Sequence, residues 1–321
     1  MKELSALTPT ERRCKSEQLI TELYIDLRRC VNEWASLTKQ TSQARMGYVG
    51  QHLASVVTGL EGSRTGARGD DLIAPDGKHS EVKTCYRVDQ LGECSVCGFK
   101  VAITDKVCPL CGSDRLKRKD DSKWLIGLPA NDELAKKKFD AIFENESFYL
   151  VLFEFEDLSC PDVIITSIWE VDPKFRGFAY CMLDYYKNIW ANSASHAPFN
   201  LWPYSVKFYL MMPKLIYQAR IKQDNTIETM RFPGIDPNLK SSFPPLSNFY
   251  RSIGFTFDIC RELAARFMID VTGKTRLSLM SEIEEYRKHD LCDDAHFIDV
   301  LNEVFYARIM PYRHEIPCAV C

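Results

Sequence analysis

The chain has 321 residues, with 41 Lys and Arg against 44 Asp and Glu, for a formal net charge of −3. At 45% hydrophobic and 26% charged residues, the composition is that of a globular protein and excludes disorder, collagen and coiled coil as the main architecture; the length suits two domains, or one with insertions. The charge balance excludes a strongly basic, non-specific nucleic-acid coat while leaving room for a local basic surface. The longest notable apolar run, Phe148 to Phe153, falls far short of the ~20 residues a membrane helix needs. The start, Met1-Lys2-Glu3-Leu4 followed by Glu11-Arg12-Arg13, has no apolar segment of the secretory type.

Residues 16–38 predict an amphipathic helix, with Leu19, Leu23, Leu27, Val31 and Trp34 at spacings of four and three. A polar loop, Lys39 to Arg45, leads to a second helix, Gly47 to Leu60, with Val49, Leu53 and Val56 on one face. Glu61 to Arg68 reads as a loop. Asp71 to Ile73 and Ser80 to Tyr86 predict two short strands around the turn Ala74-Pro75-Asp76-Gly77. Further along, Trp124 to Leu128, Phe148 to Phe155 and Asp162 to Val171 predict strands. Asp132 to Phe143 and Phe178 to Trp190 predict helices, and Val206 to Ile221 an extended stretch bent or edged at Pro213. Four prolines between residues 232 and 248 predict a long loop. Helical patterns follow at Phe257 to Met268, Arg276 to Lys288 and Ala295 to Ile309. The expected organisation is an N-terminal helical segment (1–43), a mixed α/β core (44–225) holding a cysteine-rich insert (92–114), and a mainly helical C-terminal region (226–321) for dimerisation or DNA contact.

Acidic-x-Lys triplets occur four times: Asp76/Lys78, Glu81/Lys83, Asp121/Lys123 and Asp172/Lys174. Asp172 precedes Pro173, Asp76 straddles a turn, and Asp121 follows a charged run with no acidic strand before it. Glu81/Lys83 alone lies in a strand joined by a short turn to another acidic strand. Pro at the second turn position and Gly at the fourth fit a three-residue hairpin with a left-handed glycine. That turn pairs Ala74 with Lys78, and counting outwards sets Asp71 opposite Glu81 and Gly69 opposite Lys83. Opposed residues share a face, so Asp71, Glu81 and Lys83 converge; a one-residue slip would exchange Asp70 for Asp71. Two opposed carboxylates repel, and a divalent cation such as Mg²⁺ removes the conflict. A lysine beside them can orient or deprotonate water, a set suited to phosphodiester hydrolysis. The bland alternative is a solvated charged hairpin.

Thirteen cysteines are present. Cys94, Cys97, Cys108 and Cys111 form two C-x₂-C pairs, each followed by Gly, and predict a closed, structural tetrahedral Zn²⁺ site, one per chain. The scattered nine (Cys14, Cys30, Cys85, Cys160, Cys181, Cys260, Cys292, Cys318 and Cys321) read as small buried hydrophobes, the last two resembling a prenylation box by chance. After the cluster come Arg115, Lys117, Arg118 and Lys119, then Ser122 and Lys123; with Arg64 and Arg68 they are candidate DNA contacts, against the alternative of a solvated basic loop. Gln40, Thr41, Gln43 and Arg45 could also reach bases or phosphates, as most loop residues could. The histidines show no ligand spacing.

Gly69, Asp71 and Glu81-Val82-Lys83 resemble the PD-(D/E)xK nuclease superfamily. The longer runs Gly66-Ala67-Arg68-Gly69-Asp70-Asp71-Leu72, Glu81 to Leu91, the four cysteines and Asp120-Asp121-Ser122-Lys123-Trp124 resemble the MamI-type restriction endonucleases, over about residues 47–128. The resemblance implies an α/β fold: a restriction-endonuclease-like mixed β-sheet flanked by helices, with an inserted zinc ribbon and a helical C-terminal region. It implies a type II site-specific deoxyribonuclease, Mg²⁺-dependent, acting on double-stranded DNA as a homodimer and leaving 5′-phosphate and 3′-hydroxyl ends. A cognate DNA methyltransferase and a prokaryotic cytoplasmic location go with that reading. Carried over, Asp71, Glu81 and the Val82 carbonyl ligate Mg²⁺, and Lys83 handles the attacking water. Many relatives add a Glu from the preceding helix; here that helix offers Gln51, with Glu61 near its end. Two alternatives stay open: a repair or recombination nuclease of the same fold, and a non-catalytic zinc-ribbon DNA-binding protein.

Overall fold

The computed structural model describes residues 3–38, 47–63, 71–118, 121–158, 160–236, 254–289 and 294–315. In chain order, α1 (Pro9–Leu19) passes through one wider turn, Ile20–Asp26, into α2 (Leu27–Thr38), and α3 (Gly47–Thr58) follows. Strands β1 (Glu61–Gly62), β2 (Leu72–Ile73), β3 (His79–Tyr86), β4 (Leu91–Cys94), β5 (Lys100–Ala102), β6 (Leu116–Lys117) and β7 (Trp124–Ile126) come next. Then come α4 (Asp132–Ile142), β8 (Ser147–Phe155), β9 (Ile164–Val171), α5 (Arg176–Asp184), β10 (Phe199–Leu201), α6 (Val206–Leu210), β11 (Lys214–Ile221) and β12 (Ile227–Arg231). Helices α7 (Phe257–Arg266), α8 (Arg276–His289) and α9 (Asp294–Ile309) complete the described elements.

The chain forms two compact units, each drawn from separated stretches: residues 1–122, 149–170 and 215–239 in one, and 123–148, 171–214 and 240–321 in the other. In the first, seven strands run in the order β1-β2-β3-β8-β9-β11-β12. β8 is buried from Ser147 to Glu154, as a central strand should be. Its core joins Ile20 and Tyr24, Val49, Leu53 and Val57 of α3, Val82 of β3, and Val151 and Phe153 of β8. Tyr24 stacks on Phe153 at 4.4 Å and Phe153 on Tyr86 at 4.7 Å between ring centres. At the rim of this stack Arg28 pairs with Asp89, whose carboxyl burial pushes above its usual range, with Arg28 acting against that shift. A second sequestered pair, Arg87 to Glu154 at 3.0 Å, ties the end of β3 to β8.

The second unit is mainly helical, with a small β7–β10 pair. Trp124 stacks on Phe208, and Phe143 meets Phe178 edge-on.

Several expectations change, and Glu61–Gly62, expected in a loop, forms the short strand β1 paired with β2. The N-terminal helix begins at Pro9, because Thr8 and Glu11 close a reciprocal capping box around a proline at the first helical position. Val206 to Ile221 is not one extended stretch: Ser205 caps the short helix α6 through the Phe208 amide, the chain turns at Met212 with φ 48°, and the strand starts at Lys214. Cys14, Cys30 and Cys160 are exposed, whereas Cys85, Cys181 and Cys260 are buried as expected; the exposed three lie on polar surface stretches. Strand β12 lies beyond residue 225 and pairs antiparallel with β11. Of the proline-rich stretch, residues 237–248 lie outside the described residues, as do Lys39 to Arg45, Cys292, Cys318 and Cys321. No helix among the described residues is long and apolar enough to cross a membrane.

Candidate active site and metal cluster

The β2–β3 hairpin has the register its turn demands. Leu72 faces Ser80 and Ile73 faces His79. The Ala74 amide donates to the Lys78 carbonyl at 2.8 Å, the Gly77 amide to the Ala74 carbonyl at 2.8 Å, and Gly77 has φ 83°. A left-handed residue there costs a side-chain-bearing amino acid and suits glycine.

Asp71 sits one residue before β2 and is held from two sides. Its Oδ2 accepts the Val82 backbone N–H at 2.8 Å, and its Oδ1 accepts the Gln51 side-chain amide at 2.6 Å. On β3, Lys83 Nζ pairs with Glu81, both side chains about a quarter exposed. The structure thus brings Asp71, Glu81 and Lys83 to one end of the ribbon, in partial contact with solvent. Val82 turns its side chain into the core and gives its N–H to Asp71. The competing triplets differ. Asp76 and Lys78 pair on the exposed turn at 3.4 Å, and Asp172 accepts the Lys174 backbone N–H at 2.8 Å in a local turn.

Helix α3 delivers Gln51. Its buried face, Val49, Gly50, Leu53, Ala54 and Val57, packs towards β3. The closest approach is at Gly50, where a Cβ would stand 1.9 Å from Thr84 Oγ1. Only glycine lets the helix come this near, and Thr84 directly follows Lys83. The Thr84 hydroxyl also donates to the Gly47 carbonyl at 3.3 Å. The sequence named Gln51 only as the residue the helix offers; the Gly50–Thr84 contact is what sets its amide against Asp71.

The cysteine cluster occupies the small β5-β4-β6 sheet. The Sγ atoms of Cys94, Cys97, Cys108 and Cys111 all lie within 4.8 Å of one another, with Cys94 to Cys111 and Cys97 to Cys108 both at 3.6 Å. Four thiolates around one ion at ~2.3 Å would stand about 3.8 Å apart, so the donor set and spacing are compatible with zinc. Each pair closes a knuckle: the Gly98 amide donates to the Cys94 carbonyl at 2.9 Å and the Gly112 amide to the Cys108 carbonyl at 2.8 Å, both glycines at positive φ. The backbone amides of Cys97 and Val96 pull the Cys94 thiol down to about 6, whereas, against the Phe99 amide, burial and the neighbouring sulfurs push Cys97 up to about 12.

Among the candidate DNA contacts, Arg115, Lys117 and Arg118 are exposed on or beside this lobe, and Arg118 also donates to the Asp105 carbonyl. Ser122 is buried, its hydroxyl donating to the Tyr86 carbonyl at 3.2 Å. Lys123 stands over the Trp202 ring, 5.2 Å from its centre. Arg64, Arg68 and Lys119 lie outside the described residues.

A sheet flanked by helices, an acidic hairpin carrying Glu-x-Lys, and a four-cysteine lobe define a restriction-endonuclease-like fold. Residues 33–249, about two-thirds of the chain, match the family model of the MamI restriction endonuclease, and the chain belongs to that family. It is 36% identical over 85 residues to the type II restriction enzyme MamI of Microbacterium ammoniaphilum, an alignment covering 26% of this chain and 26% of that protein. The chain thus aligns with about a quarter of the length of that curated relative. No solved structure matches it significantly.

Proposed function

We propose that the protein is a type II restriction endonuclease, hydrolysing double-stranded DNA at a specific short sequence and leaving 5′-phosphate and 3′-hydroxyl ends. The observation that carries this reading is the Asp71 carboxylate fastened to the Val82 amide beside the Glu81–Lys83 pair, in a chain of the MamI family. Asp71, Glu81 and the Val82 carbonyl would hold Mg²⁺, which when bound supplies charge neutralisation at the scissile phosphate. Lys83 orients the attacking water, takes or shares its proton, and stabilises the developing negative charge. Glu81 holds Lys83 close at hand until a cation and the DNA backbone compete for it. The four cysteines hold one structural Zn²⁺ per chain, which shapes the lobe carrying Arg115, Lys117 and Arg118. These cations neutralise phosphates and position the duplex without reading its sequence. The enzyme acts as a homodimer on a palindromic site, in the cytoplasm of a prokaryote, beside a methyltransferase that protects the host's own copies of that site.

The test is digestion of duplex DNA with Mg²⁺, followed by sequencing of the fragment ends. Discrete fragments sharing one end sequence are expected. Glu81→Ala and Lys83→Ala are expected to cut at least about 10²-fold more slowly, the lower end of what a positioned proton-transfer group contributes. Full cleavage by both variants would remove the catalytic assignment. Cutting confined to flaps, junctions or nicks would point to repair instead.

A further inference from the structure

We propose that α2 is the surface through which two copies of this chain associate, the helices lying side by side and parallel along Leu27, Cys30, Trp34 and Leu37. The inference rests on the homodimer in the reading above and names its interface.

The wider turn Ile20–Asp26 holds Ile20 and Tyr24 in the core, and α2 begins where that packing ends. None of the described side chains of α2 is buried. Leu27 is 39% exposed, Trp34 65% and Leu37 72%, and Cys30 is exposed as well. These four recur at spacings of three, four and three, the a/d seam of two helices that pack on each other. Arg29, Asn32 and Glu33 border the stripe with exposed polar side chains, and an apolar patch so rimmed marks a docking surface.

Charge selects the occupant. With Leu27 at a and Cys30 at d, Asp26 and Glu33 take the two g positions and Val31 and Thr38 the two e positions. Acids beside the seam repel a phosphate backbone, which sets this face apart from the DNA contacts. In an antiparallel pair of copies g meets g, and acid would face acid. In a parallel pair g meets e, so Asp26 faces the Val31 and Glu33 the Thr38 of the other helix, and no like charges meet. A two-fold axis along the seam sets each residue against its own copy, and the small Cys30 pair leaves room for the tryptophans of the next layer.

The experiment weighs the full-length, zinc-replete chain by light scattering across a dilution series. A dimer is expected for the parent. Trp34→Glu should raise its dissociation constant at least about thirtyfold, as loss of a hot-spot side chain does. The circular-dichroism spectrum should stay that of a folded chain, since Trp34 is exposed in the single copy. Diamide takes one proton and one electron from each of two thiols and is itself reduced to the hydrazine. It should join the two Cys30 sulfurs of the parallel pair, giving a covalent dimer on a non-reducing gel that is absent in Cys30→Ser. An antiparallel pair sets d against a and forms no such link. A parent that stays monomeric, a dimer unmoved by Trp34→Glu, or the lack of a Cys30-dependent link would each overturn the proposal. A chain that dimerises through α2 but leaves duplex DNA uncut with Mg²⁺ would overturn the nuclease activity alone, the dimer and its interface being kept.

Discussion

At the scale of single residues, the site depends on a place where a side chain is missing. Gly50 meets Thr84 so closely that a Cβ would stand 1.9 Å from its hydroxyl. Gly50→Ala must push α3 away from β3, and overpacking of this kind costs ~1–3 kcal/mol. Thermal denaturation should show that loss, and cleavage should fall further than stability does, because Gln51 moves off Asp71 with the helix. On a Thr84→Ala background the same substitution should cost less, and a double-mutant cycle measures the coupling. The acidic hairpin itself is legible in the sequence, because Pro75 and Gly77 fix the turn, the turn fixes the register, and the register carries Asp71 to Glu81. The Gln51–Asp71 bond is not legible in the same way. It joins residues twenty apart, and its length is set by how near two packed elements can come.

At the scale of elements, the cysteine lobe is too small to hold itself together. Its buried apolar side chains are Cys94, Val101 and Cys108, with Leu116 against them, while Val96 and Leu110 stand exposed. A zinc ion held by the four cysteines would therefore supply most of its folding free energy. Atomic emission should find one zinc per chain. Cys108→Ser, or treatment with a strong chelator, should release the metal and open the segment between Leu91 and Lys117 to protease. The hairpin at His79–Tyr86 should survive, since Val82 belongs to the separate core of the large sheet. Strands β8 and β9 are plain in the sequence because central strands are continuous apolar runs. Helix α6 is hidden for a related reason: Val206 to Leu210 is nearly all apolar and only five residues long, too short for helical periodicity to show. The signal that places it is Ser205, an N-cap read only once the structure shows the Phe208 amide bonded to it.

At the scale of the whole molecule, sequence order and spatial order part company. Local patterns divide the chain lengthwise, whereas the compact units trade segments at 122/123, 148/149, 170/171, 214/215 and 239/240. Nothing in periodicity or turn chemistry signals such exchange, since it depends on which strands find one another across long loops. A chain ending at residue 225 would lose β12 from one unit and α7, α8 and α9 from the other. It would uncover buried Leu263, Leu279, Ile283 and Leu301, or their partners. Such a truncation should aggregate on expression rather than give a working nuclease core; a soluble, cooperatively unfolding fragment would contradict that.

The roots of the cysteine lobe carry a different implication. The outgoing strand leaves just past Tyr86 and Gln90, and the returning chain meets the same two residues: the Asp121 amide donates to Gln90 Oε1 at 3.3 Å and the Ser122 hydroxyl to the Tyr86 carbonyl. Exit and entry share one doorway. A graft whose stems touch can be swapped for a shorter or longer one while the ribbon beneath it keeps its shape, so under the proposed function what the protein grips and how it cuts would be free to evolve apart.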